Sequence, residues 1–229
     1  MSAANVTLVG IVNKVLQRLR EDTVGGLTET SYAGQVVGFV NDAKREVEQA
    51  YNWESMIDVI VVPTVASQNY INITDGAIYT NERTRVTEVY NATADSYLYR
   101  RGLGHLRLLE RDSTQEEEPT YYSNFGLDTS QNVRLRLYNI PDQVYSLEVT
   151  CVNPQDDLNV DDDTVVLNVP WAPVYLRAAA LAIRERGDDA GQGYQEVFLE
   201  YTTALNDAIA YEKRYSEEGT SFSGDWYVP

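Results

Sequence analysis

Residues 36–63 read VVGFVNDAKREVEQAYNWESMIDVIVVP, and within this stretch the chain changes from a helical to a strand pattern. Up to Trp53 the apolar residues recur at helical spacing, with charged residues between them. Ile57 to Val62 is instead rich in β-branched residues, and Pro63 terminates the run as expected for a strand. Because the helical pattern returns only at Pro170, we predict a β-rich segment inserted into a helical body.

Helical periodicity predicts four helices outside the insert, which cover residues 5–21, 31–53, 170–186 and 194–215. Asn5 or Thr7 can cap the first helix, and Pro170 suits the first turn of the third. Trp53 lies where the chain leaves the second helix and is expected to be a core residue. Since short loops join the members of each pair, we expect one four-helix body of antiparallel pairs.

The insert reads as a series of strands, which cover residues 57–62, 70–73, 86–90, 97–99, 133–137, 145–151 and 164–169. Apolar and polar residues alternate most clearly in Val133–Leu137 and Tyr145–Cys151. We expect residues 140–143 to join these two strands as a hairpin within an antiparallel sheet or small barrel that has one wet face. Cys151 would then point inward as a small apolar group.

The sequence therefore predicts an α+β fold in four segments. They are an N-terminal helix pair (1–55), an inserted antiparallel β domain (56–169), a C-terminal helix pair (170–217) and an extended docking tail (218–229). The tail is rich in Gly and Ser, which makes it flexible, yet it carries Phe222, Trp226 and Tyr227. Aromatic anchors on a flexible segment are typical of a tail that orders on a partner, the alternative being a tail folded back on its own core.

Charge and compartment exclude several classes of function. The net charge of −17 disfavours tight nucleic-acid binding and docking on an anionic membrane, but it suits the wall of a channel through which DNA passes without specific binding. No signal peptide is recognisable and no apolar run reaches membrane-spanning length. With one cysteine the chain can form no internal disulfide, and we expect synthesis in a reducing cytosol.

The inventory of catalytic side chains is poor. His105, the only histidine, has no nucleophile motif beside it and is expected to be a surface or loop residue. Asp156 to Asp163 could bind calcium weakly, but this stretch lacks the glycine and terminal glutamate of a calcium loop. We predict no enzyme, no cofactor and no metal site.

Three places in the sequence resemble the head-to-tail adaptor of short-tailed bacteriophages, also called tail tubular protein A. One is the helix from Val36 to Trp53, followed at once by the strand Ile57 to Val62. Another is the return from an acidic loop through residues 165–170 into the helix that ends at Arg186. The third is the Arg186-Gly-Asp-Asp-Ala stretch before a long final helix with Tyr194, Phe198 and Tyr201.

This resemblance implies a structural part of a virion, located in the tail or neck and assembled in the host cytoplasm. It implies a homo-oligomeric ring of about twelve copies under the portal protein, closed by heterologous contacts. The helical bodies would form the wall, and the β inserts would face the tail nozzle or tail tube protein, with tail fibres as a further candidate partner. By the same carry-over, Phe222, Trp226 and Tyr227 are candidate portal-docking residues.

Two other functions fit the same residues. A tail-tube or tail-completion protein lower in the tail belongs to the same broad class. A carbohydrate-binding module on a helical scaffold belongs to a different class, and the 17 tyrosines favour it because aromatic rings stack on sugars. Reproducible glycan binding without ring formation would distinguish this module from an adaptor. An acid-pair hydrolase is the most distant alternative, since acidic runs are more often solvated loops.

Overall fold

The computed structural model describes residues 6–112, 115–187 and 192–220. It divides the chain into two compact units. The helical unit consists of Met1–Ser55 and Gln155–Pro229, and the β unit consists of Met56–Pro154. The predicted α+β class, with a β domain inserted into a helical body, is confirmed.

The described residues contain five α-helices, which are α1 (Leu8–Arg18), α2 (Ser31–Ala50), α3 (Leu103–Asp112), α4 (Trp171–Arg186) and α5 (Gln192–Thr220). Helix α3 lies in the β unit, and the other four form the helical unit. Helix α4 contacts each of α1, α2 and α5 and is largely buried, so it is the centre of this body. Helix α5 reaches Thr220, so residues 218–220 are helical and do not belong to the tail predicted for 218–229.

Local chemistry sets the ends of these helices. The side chain of Thr7 accepts a hydrogen bond from the amide of Gly10 at 3.4 Å, which confirms Thr7 as the N-cap of α1. The buried indole of Trp53 donates to the carbonyl of Val47 at 2.8 Å, which satisfies one of the free carbonyls at the end of α2. Gly187 ends α4 in the left-handed region at φ 68°. The prediction that Trp53 is a core residue is confirmed.

Residues 155–169 belong to the helical unit, whereas the sequence assigned them to the β insert. Polar side chains of α2 hold this segment. Asn41 donates to the carbonyl of Leu158 at 2.8 Å and accepts from its amide at 2.9 Å. The predicted strand 164–169 is also wrong, since only an isolated bridge between Thr7 and Val166 forms there.

A buried lysine anchors the start of the same segment. Lys44 of α2 is fully buried, and its Nζ donates to the carbonyls of Gln155 (2.8 Å) and Asp156. Glu48, one helical turn after Lys44, is also buried, and its carboxylate lies 3.8 Å from the Lys44 ammonium. An unpaired buried charge is costly, so the position of the segment and the charge of Lys44 depend on each other.

The β unit contains eight strands among the described residues, which are β1 (Ile57–Pro63), β2 (Tyr70–Asn72), β3 (Arg85–Asn91), β4 (Ser96–Tyr97), β5 (Tyr99–Arg100), β6 (Tyr121–Leu127), β7 (Val133–Tyr138) and β8 (Ser146–Val152). They form two four-stranded sheets with the orders β1-β8-β3-β4 and β2-β7-β6-β5. All pairs are antiparallel except β5 with β6. The inward side chains of both sheets share one hydrophobic core.

The predicted hairpin through residues 140–143 is wrong. Strand β7 pairs with β2 and β6, whereas β8 pairs with β1 along its whole length and with β3. The two strands therefore lie in different sheets, and Leu135 and Leu147 enter the shared core from opposite sides. An alternating sequence shows that one face of a strand is buried. Two strands paired in one sheet and two strands that face each other across a core give the same alternation, so the sequence cannot distinguish them.

The side chain of Cys151 points into this core, as predicted. Burial raises the pKa of its thiol to about 12, with a smaller contribution from the negative charge of Asp58. Because only the thiolate is reactive, we expect a thiol reagent at about pH 8 to label folded protein at least roughly 10³-fold more slowly than urea-unfolded protein. Stopped-flow labelling reads this single cysteine directly. Similar rates in both states would show that the thiol is not in the core.

Candidate functional site

The predicted docking residues Phe222, Trp226 and Tyr227 lie outside the described residues. The described part of the chain ends with Thr220 in α5, directly before this segment. Their assignment therefore stays a prediction.

Aromatic residues of α5 that carried the family resemblance are used for internal packing. Arg177 of α4 makes two hydrogen bonds to Glu46 of α2, at 2.6 and 2.7 Å, and this pairing raises the pKa of the guanidinium. The same guanidinium lies 5.3 Å from the ring centre of Phe198 and 5.7 Å from that of Tyr201. One arginine thus ties α2, α4 and α5 together, so these rings stabilise the body of the helical unit.

The outer face of α5 is a second feature of the helical unit. Glu196, Leu199, Thr203 and Asp207 recur every three or four residues and are all exposed, while Val197 and Tyr201 face inward. Leu199 is 68% exposed, and the structure shows no ion pair of Glu196 or Asp207 within the described ranges. We call Glu196, Leu199, Thr203 and Asp207 the acidic face of α5.

In the β unit, strand β1 presents an apolar row to solvent. It is an outer strand of its sheet and pairs, among the described strands, only with β8. Its outward side chains Ile57, Val59 and Val61 are about half exposed, while Ile60 and Val62 fill the core. A long apolar edge strand invites association with another chain unless a partner covers it.

A group of tyrosines crosses the outer face of the other sheet. The rings of Tyr99, Tyr121 and Tyr138 follow one another across β5, β6 and β7 with centres 6.4 and 6.1 Å apart. The guanidinium of Arg101 lies 5.4 Å from the ring centre of Tyr121. Tyr99 itself is 65% exposed, so the stack ends at an open surface.

Helix α3, which the sequence pattern did not predict, begins two residues after Arg101, next to this surface. It packs on β6 and β7, and its Glu110 accepts two hydrogen bonds from Arg136 at 2.7 and 2.8 Å. Arg107 and Leu108 on its other side are exposed. We call Tyr99, Arg101, Arg107 and Leu108 the Arg–Tyr patch.

Positions that could suggest catalysis or metal binding are accounted for. His105 is exposed on α3, as expected for a surface residue. Asp157 pairs with Arg45, and Asp163 accepts from the amide of Leu27 at 3.0 Å. Within residues 6–112, 115–187 and 192–220, no group of three or more His, Cys, Asp or Glu side chains could hold a metal ion.

No helix in this described part is long and apolar enough to span a membrane.

The exposed apolar, tyrosine and arginine surfaces of the two units have the composition of protein-contact surfaces. The sequence model of the family described as SU10 adaptor protein matches residues 6–223, which is nearly the whole chain. The chain therefore belongs to the SU10 adaptor protein family. No curated protein matched it.

This membership indicates a structural adaptor at the head–tail junction of a bacteriophage particle, as the sequence resemblance implied. It also points to the tail or neck of the virion as the location of the chain. The match includes both the helical unit and the β insert.

Proposed function

We propose that the chain forms a ring of about twelve copies that joins the portal protein of a short-tailed phage to its tail nozzle. The observation that carries this proposal is the adaptor family match over residues 6–223, which spans both units. In this arrangement the helical units form the wall, the β units face the next tail component, and the tail that contains Phe222, Trp226 and Tyr227 reaches the portal.

Two properties of the chain support the arrangement. A net charge of −17 keeps DNA phosphates from adhering to the wall, because like charges repel and no counterions are released. The apolar row of Ile57, Val59 and Val61 on β1 gives the β unit a surface that a neighbouring tail protein can bury. DNA would then pass without specific binding.

Electron microscopy of the purified chain mixed with portal rings tests this function. We expect added density on the tail-facing end of the portal, because an adaptor binds there in several symmetric copies. Portal rings that stay bare at saturating chain concentration would contradict the proposal.

A further inference from the structure

The Arg–Tyr patch is a concentration of unpaired positive charge in an acidic chain. Arg101 and Arg107 are exposed, and no ion pair of theirs is present among the described residues. The nearby carboxylate of Glu110 forms an ion pair with Arg136, so it already has a cationic partner. Tyr and Arg are also the residue types most enriched at the centres of protein interfaces. The patch therefore has the composition of a docking surface for an acidic protein.

The acidic face of α5 has the complementary composition. Glu196 and Asp207 lie eleven residues apart on one side of the helix, which corresponds to about 16 Å along its axis. Leu199, which lies between them, is the most exposed leucine among the described residues. The Arg–Tyr patch also contains an exposed leucine, Leu108. Each surface thus offers an apolar side chain with unpaired charges around it, and the charges have opposite sign.

We propose that the Arg–Tyr patch of one copy docks on the acidic face of α5 of the next copy. This inference rests on the proposed ring and names the surfaces that its copies use. Since the two surfaces are different, the contact is heterologous and can repeat from copy to copy until a ring closes. Copies that each carry a net charge of −17 repel one another, so local pairing of opposite charges is what selects the register of the contact.

Charge exchange between the two surfaces tests the contact. The first variant carries Arg101→Glu and Arg107→Glu, and the second carries Glu196→Arg and Asp207→Arg. Alone, each variant meets only like charges at the proposed contact. Mixed, the reversed patch of the first variant faces the reversed α5 of the second, which restores attraction. Both variants stay strongly acidic, so attraction between net charges does not explain association of the mixture.

A covalent trap makes the measurement sensitive to weak contacts. Leu108→Cys in the first variant and Leu199→Cys in the second place one thiol on each surface, and both positions are exposed, at 52% and 68%. The native Cys151 is buried and its thiol stays protonated, so a bismaleimide joins the introduced cysteines. The matched control for the second variant keeps Leu199→Cys and the native Glu196 and Asp207. It carries Asp42→Arg and Glu185→Arg instead, at two exposed acids elsewhere on the helical unit.

We expect the mixture to give at least about tenfold more cross-linked dimer than either variant alone or than the first variant with the control, equivalent to about 1.4 kcal/mol. Equal yields in all four samples would overturn the inference. The outcome is separable from that of the proposed function. Equal yields together with a ring on the portal would remove only this contact, whereas selective cross-linking with bare portals would remove only the portal assignment.

Discussion

A chain that ends at Thr220 loses its attachment to portal-bearing heads, while both compact units keep their stability. The deleted residues 221–229 contain Phe222, Trp226 and Tyr227, and they follow the last described helix. Buried aromatic anchors typically contribute on the order of 2 kcal/mol each, roughly thirtyfold in Kd, so the loss of three reduces attachment below detection. Co-sedimentation of the chain with heads measures the effect, and urea unfolding confirms that the truncated chain is folded.

A full-length variant separates the aromatic rings from the length of the tail. Phe222→Ala, Trp226→Ala and Tyr227→Ala together should reproduce the truncation, whereas Ser221→Ala with Ser223→Ala should bind like the unmodified chain. If the truncated chain still sediments with heads as well as the intact one, the tail is not the portal anchor. In that case the alternative of a tail folded on its own core gains support.

The second large effect is expected at the buried Lys44. In Lys44→Met, the carbonyls of Gln155 and Asp156 lose their donor, and the positive charge 3.8 Å from the Glu48 carboxylate disappears. Breaking a buried ion pair from one side typically costs about 3–5 kcal/mol. This is a large fraction of the roughly 5–15 kcal/mol that stabilises a folded domain. We therefore expect the helical unit to unfold at markedly lower urea concentration.

Tryptophan fluorescence can follow this unit alone, because Trp53, Trp171 and Trp226 all lie outside Met56–Pro154. The matched control is Arg45→Met, which removes the neighbouring ion pair with Asp157. Both partners of that pair are more than 40% exposed, so its loss should cost less than about 1 kcal/mol. Equal losses in the two variants would mean that the buried charge does not hold residues 155–156.

The sequence predicted the helical part of the fold well, because its signals are local. The Thr7 cap, the apolar stripes of α1 and α2 and the core position of Trp53 all follow from residues within a few turns of one another. Strands were located but wrongly paired at β7 and β8, since pairing depends on contacts between distant segments. Residues 155–169 were misassigned for the same reason, as Lys44 and Asn41 hold them from far away in the sequence.

The surfaces of the β unit could not be predicted. Gly102 and Gly104 obscure the short helix α3, and no strand was predicted at Tyr121–Leu127. Without these two elements the stack of Tyr99, Tyr121 and Tyr138 is a set of unrelated tyrosines. The periodicity of α5 predicted a helix with an exposed side. The charge complementarity between the acidic face of α5 and Arg101 and Arg107 follows only from the structure, which shows which side chains are exposed on each surface.

We propose that this member of the SU10 adaptor protein family acts as a ring-forming connector. Cryo-electron microscopy of portal rings saturated with the purified chain tests it most directly. We expect a closed ring of about twelve copies on the tail-facing end of the portal, with helical units in its wall and an open channel at its centre. Single copies bound at irregular positions, or bare portals, would contradict it.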